Sequence, residues 1–288
     1  MAKKETNPTK SLKIPQFIIL SAKLCSFIST KLVTSYAAKL FTTPIKHKIP
    51  KREFEMEHKS TQQLLYVPAI NKSVVTYEYG KSNRKILLVH GWSGRGTQLF
   101  KIADELVNLG YSTVSFDAPA HGKSKGKTTI MSEFIHAILE IDKQYGPFEI
   151  AIGHSLGGMS VLNAIKDDLK VNKAIIIGSG DIVQDILDEF ISKLGLKQEI
   201  SERLRDFFEN KYQVKMDDFS AYKAAQKIKI PVLVIHDYND PEVPVKAGIH
   251  IHKQLENGTL YLTEGLGHRK ILGNQNVIKK TIDFIKST

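Results

Sequence analysis

Residues 153–158 read Gly-His-Ser-Leu-Gly-Gly, a G-x-S-x-G pattern centred on Ser155. The pattern falls where an apolar run, FEIAIG, gives way to a stretch with helical spacing, LGGMSVLNAIKDDL. A sharp turn between strand and helix needs glycine at its flanks and lifts the serine hydroxyl to the carboxyl end of a sheet. The helix N-terminus beside it favours developing negative charge. A serine hydroxyl is a weak nucleophile until a base takes its proton, and that base must be held in one tautomer by an acid. The chain supplies both in the expected order, each just after a strand. Ile230–His236 leads into Asp237-Tyr238-Asn239-Asp240-Pro241-Glu242-Val243-Pro244, and Thr259–Thr263 leads into Glu264-Gly265-Leu266-Gly267-His268. Ser155 is therefore expected as nucleophile, His268 as base and Asp240 as acid. Asp237, three residues earlier, competes for the last role; Asp240 is preferred because the Pro-x-Val-Pro that follows can aim its carboxylate back toward the histidine.

Attack on a carbonyl creates an oxyanion, which two backbone N–H groups usually hold. One is expected from Leu156, the residue after the nucleophile. The other is expected from Trp92, in the loop His90-Gly91-Trp92-Ser93-Gly94 that follows the apolar run KILLVH. The Trp92 ring, the one tryptophan of the chain, is also placed to wall an acyl pocket. Other histidines suggest less. His250 and His252 are two apart in an expected helix and do not share a face. His121 suits a structural loop role, and His154 should pack beside Ser155.

The elements that must position these groups alternate. Strands are expected at Arg52–His58, Gln63–Val67, Ser73–Tyr79, Lys85–His90, Tyr111–Asp117, Phe148–Gly153, Lys173–Gly178, Ile230–His236 and Thr259–Thr263. Helices are expected at Thr97–Leu109, Thr129–Tyr145, Leu156–Leu169 and Gln275–Ile285. Such alternation means βαβ units and a mostly parallel, doubly wound α/β sheet. About 181–226 the pattern breaks into three helical stretches with no strand, expected as a cap over one sheet edge. Its aromatics Phe190, Phe207, Phe208, Tyr212 and Phe219 suit internal packing first and a pocket lining second.

HGWSG, DAPAHGKS (Asp117–Ser124), GHSLGG, DYNDPEVP and GLGH, in this order on these elements, resemble the α/β-hydrolase superfamily from Lys85 to the C-terminus. The resemblance implies a serine hydrolase of the carboxylesterase kind, acting on esters, thioesters or amides without cofactor or metal. Its substrate would be a small acyl compound. It carries Ser155, Asp240 and His268 as the triad and Trp92 and Leu156 as oxyanion donors. Ala120 stands where the family often has glycine, and Asp237 stands where glycine often follows the strand-end histidine. A binding module that kept the scaffold without its catalysis is the competing class.

The chain of 288 residues is 42% hydrophobic and 25% charged, which excludes collagen-like, wholly disordered and multi-span membrane proteins. Its single cysteine, Cys25, excludes an internal disulfide and fits a reducing, cytoplasmic compartment. The net charge of +11 is concentrated at the start. Residues 1–52 hold 11 Lys and Arg against one acid, whereas the remainder holds 30 against 29. The body thus gives no sign of a polyanionic partner, and the lysines of the arm are spread among aliphatics, unlike a nucleic-acid module. The organisation expected is a basic arm over 1–50 and a hydrolase domain over 51–288. Met1–Lys10 is expected to be disordered. Residues 14–41 suggest an amphipathic helix with Lys23, Lys31 and Lys39 on one side and Ile18, Ala22, Cys25, Leu32, Val33, Tyr36 and Leu40 on the other. Leu20, Leu24 and Phe27 fall among the lysines. Such a helix either lies on the inner face of an anionic membrane as a peripheral contact or packs on the body with its lysine stems reaching water.

Overall fold

The computed structural model describes residues 14–287. Eight strands form one sheet: β1 (Thr61–Val67), β2 (Lys72–Tyr79), β3 (Lys85–Val89), β4 (Ser112–Asp117), β5 (Ile150–His154), β6 (Lys173–Ile177), β7 (Val232–Asp237) and β8 (Gly258–Thr263). Their spatial order is β1-β2-β4-β3-β5-β6-β7-β8. β1 and β2 are antiparallel to their neighbours, and the other pairings are all parallel. The central strands are apolar on both sides because both faces are covered. Leu87, Val89, Ala151, Ile176 and Val234 enter one core, while Ile86, Leu88, Ile152, Ile175 and Ile235 enter the other. This is the period-two alternation of a strand buried twice.

Twelve helices accompany the sheet among the described residues: α1 (Gln16–Ile28), α2 (Thr30–Phe41), α3 (Phe54–Lys59), α4 (Phe100–Asn108), α5 (Met131–Tyr145), α6 (Leu156–Lys166), α7 (Val183–Lys193), α8 (Glu199–Tyr212), α9 (Ala221–Ala225), α10 (Val245–Gln254), α11 (Gly267–Lys270) and α12 (Gln275–Lys286). α4 and α12 pack on one face of the sheet. α5, α6, α9 and α10 pack on the other. Helices on both faces of a mostly parallel sheet are the doubly wound α/β arrangement expected from the sequence. The chain leaves β3 first toward β4 and later toward β5, so the strand order reverses there. The crevice at the carboxyl ends of β3 and β5 is where ligands bind in such sheets.

Three expectations are corrected. Arg52–His58 is not a strand but a helical turn running into α3. Only Glu53 and Met56 of its residues are buried, and Glu53 is fixed by Arg95 Nη1 at 2.9 Å and Thr97 Oγ1 at 2.8 Å. The helix expected from Thr97 begins at Phe100. Residues 14–41 form two helices, broken at the extended residue Ser29, rather than one. The expectation for Met1–Lys10 lies outside the described residues. Between β6 and β7 the chain runs through α7, α8, a short 3-10 turn and α9. α7 and α8 share a third apolar core with α1 and α2, built from Ala22, Val33, Ala37, Leu187, Ile191 and Leu204 among others. Among the described residues no helix is long and apolar enough to cross a membrane.

Candidate active site

Ser155 sits between β5 and α6 with φ 54° and ψ −121°, a conformation that costs a non-glycine residue about 1–3 kcal/mol and persists only where its surroundings enforce it. The surroundings are visible. Ser155 N–H donates to Ile177 O at 2.9 Å, and its carbonyl accepts from Gly158 N–H at 2.9 Å. A Cβ on Gly153 would stand 2.4 Å from Gly157 O, and one on Gly157 would stand 2.4 Å from Val89 O. Both glycines are therefore required by close backbone approach.

His268 lies in α11, directly after β8, and is buried. Its Nδ1 donates to Asp240 Oδ2 at 2.7 Å. Asp240 Oδ1 accepts from the N–H groups of Glu242 at 2.8 Å and Val243 at 2.9 Å, so the Asp-Pro-Glu-Val turn fixes the carboxylate from behind. Burial pushes the Asp240 carboxyl up. The bond from His268, the charge of that ring and the two N–H groups outweigh burial and hold it below its ordinary value. Asp237 is committed elsewhere: Oδ2 accepts from Thr263 Oγ1 at 2.7 Å and Leu266 N–H at 3.0 Å, and Oδ1 accepts from Asn239 N–H at 2.9 Å. It ties the β7 loop to the β8 loop.

Ser155 and His268 line one cavity of about 1390 Å³. One hydrogen bond and one close backbone approach relate them. His154 Nε2 donates to His268 O at 2.9 Å. On the other side, Gly178 follows the Ile177 that receives the Ser155 N–H, and a Cβ there would lie 3.3 Å from His268 Nδ1. No hydrogen bond joins Ser155 Oγ to His268 Nε2 in this structure. Such catalytic bonds are often long before substrate arrives.

Trp92 and Leu156 both border the cavity. Among the described residues neither N–H has a hydrogen-bond partner. The Trp92 loop is held by two neutral histidines. His90 Nε2 accepts from Ala118 N–H at 3.0 Å while Nδ1 donates to Gly91 O at 2.7 Å. His121 Nε2 accepts from Ser93 N–H at 3.0 Å while Nδ1 donates to Pro119 O at 3.1 Å. Burial lowers these imidazoles to about 4 and about 3.

Several neighbours were not anticipated. Glu242 Oε2 is 4.0 Å from His268 Nε2, and its other oxygen pairs with Arg269 at 3.2 Å. Its place two residues after Asp240 was the available signal. Asp181 and His250 pair at 2.5 Å on the cavity rim. Ile14, Pro15, Ile18, Leu40 and Phe41 of the N-terminal arm form part of the cavity wall, and no sequence signal pointed there. Phe190, Phe208, Tyr212 and Phe219 line the cavity, and Phe190, Phe207 and Phe208 also pack in the third core. Among the described residues no cluster of His, Cys, Asp and Glu is arranged to hold a metal ion.

Comparison with known proteins agrees with this architecture. The chain resembles, at 17% identity and a TM-score of 0.63, an esterase from Exiguobacterium antarcticum, over 79% of this chain and 100% of that one. A bacterial membrane phospholipase A described as a virulence factor aligns over 93% of this chain and 96% of its own, at 16% identity and a TM-score of 0.62. A Pyrococcus furiosus esterase aligns over 85% and 97%, at 14% identity and a TM-score of 0.65. At such identities these likenesses establish the fold alone. A search of curated proteins finds no match. A family model described as the alpha/beta hydrolase family matches residues 86–272, well over half of the chain and the whole span from β3 to the turn after His268. The chain belongs to the alpha/beta hydrolase family.

Proposed function

We propose that this protein is a serine hydrolase that cleaves a carboxylic ester, or a thioester or amide, through an acyl-enzyme on Ser155. The observation that carries the reading is the His268–Asp240 pair at 2.7 Å opening into the cavity that Ser155 borders. Asp240 fixes the tautomer of His268 with Nδ1 protonated, which leaves Nε2 free to accept the Ser155 proton. Ser155 Oγ then bonds to the carbonyl carbon, and the N–H groups of Trp92 and Leu156 receive the oxyanion. His268 returns the proton to the leaving oxygen, nitrogen or sulfur. A water molecule, deprotonated by the same ring, releases the acid. The aliphatic and aromatic wall of the cavity favours a long or bulky acyl group. A fluorophosphonate probe should label the wild-type protein at Ser155. Ser155→Ala should lose the label and reduce hydrolysis of p-nitrophenyl esters by at least ~1,000-fold while keeping its thermal transition. Absence of labelling in the wild type, or undiminished turnover in Ser155→Ala, would favour a binding module on this scaffold instead.

A second reading narrows the substrate to a lipid ester. It is favoured by the residues of the basic arm in the cavity wall, a segment for which contact with a membrane and packing on the body are the two expectations. Activity across acyl chain lengths, with Ser155→Ala as blank, separates it from a short-chain esterase.

A further inference from the structure

α1 presents two apolar faces, and the fold uses only one. Ala22 is buried and Ile18 and Cys25 are half-buried in the apolar core that α1 shares with α2, α7 and α8. On the opposite side Phe17, Leu20, Leu24, Phe27 and Ile28 are 71%, 64%, 62%, 88% and 67% exposed. At one residue per 100° these five fall within an arc of about 100°, a continuous stripe. Scattered apolar residues on a surface need no explanation, but an uninterrupted stripe of five large ones on one helix does.

The charge of the segment that carries the stripe says what covers it. Residues 14–52 contain Lys23, Lys31, Lys39, Lys46, Lys48, Lys51 and Arg52 and no acidic residue. Lys23, Lys31 and Lys39 are exposed and join no ion pair among the described residues. A second copy of this chain seated on the stripe would bring these cations against their own counterparts. A nucleic acid would take the charges but leave five large apolar side chains in water. A bilayer surface with anionic headgroups satisfies both, because apolar side chains enter the acyl boundary while lysines stay at the phosphates. α1 has 13 residues, too short to cross and long enough to lie flat.

We propose that the outer face of α1 docks this protein in the plane of an anionic membrane. The inner side of the same helix, through Ile18, and Ile14 and Pro15 just before it, walls the cavity that Ser155 borders. Docking therefore sets the cavity wall directly behind the lipid contact, and an acyl chain leaving the membrane meets apolar protein surface at α1.

The test is co-sedimentation of the full chain with vesicles of equimolar phosphatidylcholine and phosphatidylglycerol and with phosphatidylcholine alone. The wild type should pellet with the anionic vesicles and less with the neutral ones, and added salt should release it. The variant Leu20→Gln/Leu24→Gln/Phe27→Gln alters only exposed side chains. It should keep the wild-type circular dichroism melt and bind at least ~tenfold more weakly. Lys31→Gln/Lys39→Gln should lose the preference for anionic vesicles. Ser155→Ala should pellet like wild type, which keeps this result independent of the hydrolase reading. Equal pelleting of the wild type and the Leu20/Leu24/Phe27 variant, or pelleting of neither, overturns the proposal. So does a wild-type dimer in gel filtration that this variant alone converts to monomer, which makes α1 a subunit contact.

Discussion

His154 Nε2 donates a hydrogen bond of 2.9 Å to the main-chain carbonyl of His268. The residue before the proposed nucleophile thus holds the backbone of the proposed base, across a sequence gap of more than a hundred positions. Burial first, and the nearby His268 second, keep the His154 imidazole well below its ordinary pKa and so neutral. Its Nδ1 has no partner among the described residues. In the proposed mechanism His154 would act as a positioning residue. His154→Phe keeps the ring volume but leaves the His268 carbonyl unpaired. It should lower kcat by about 10- to 100-fold with little change in KM, since misplacement of a catalytic group by about 1 Å costs as much. A His154→Phe enzyme with wild-type kcat shows that the bond does not position the base.

The two aspartates of the β7 loop separate by what they touch. Asp240→Asn removes the acceptor that fixes the His268 tautomer and should reduce kcat by about 10⁴-fold with a normal melting transition. Asp237→Asn disturbs the bonds to Thr263 and Leu266 and should cost about 1–3 kcal/mol of stability while leaving kcat within about tenfold. Steady-state kinetics and urea unfolding on both proteins check this. The reverse pattern would assign the acid to Asp237.

The buried histidines of the Trp92 loop make stability depend on pH. Their folded pKa values, about 4 for His90 and about 3 for His121, lie below the ordinary value of 6.5. Between those limits the unfolded chain binds more protons than the folded one. The stability they contribute is complete above about pH 6.5 and is lost as pH falls toward 4. Each site contributes at most about 1.4 kcal/mol per pH unit. His121→Gln can still accept from Ser93 N–H but does not titrate. Its unfolding free energy should fall less steeply between pH 6 and pH 5 than that of wild type, by up to the same ~1.4 kcal/mol per unit. Parallel slopes in urea unfolding at the two pH values remove His121 from this account.

Much of the site was legible because it is local. Ser155, Asp240 and His268 each follow a strand whose apolar run and turn residues stand in a few consecutive positions. The His268–Asp240 contact needed only that the parallel strands β7 and β8 be neighbours. The loop Asp117–Ser124 is only partly local: Lys123 N–H donates to the Asp117 carboxylate from within it, whereas Gly96 N–H and Tyr77 Oη donate from elsewhere in the chain. Ala120 adopts φ 64°, a strain its small side chain keeps modest. The arm was not legible in the same way. Its periodicity set Ile18, Ala22, Cys25 and Val33 on one apolar side without saying whether a membrane or the body would cover it, and that is decided by the core shared with α7 and α8 more than a hundred residues later. Arg52–His58 alternates like a strand, yet Glu53 found its partners on the Arg95–Thr97 loop, a contact no local pattern encodes.

The roof above Ser155 is assembled from two distant stretches of chain. α1 and α2 come from its beginning and α7 and α8 from its middle, and one apolar core joins them. Neither pair can swing aside without tearing that core and wetting Leu187, Ile191 and Leu204. Loss of α1 and α2 would leave half of that roof standing, with Leu187, Ile191 and Leu204 stripped of the apolar partners that keep them from water.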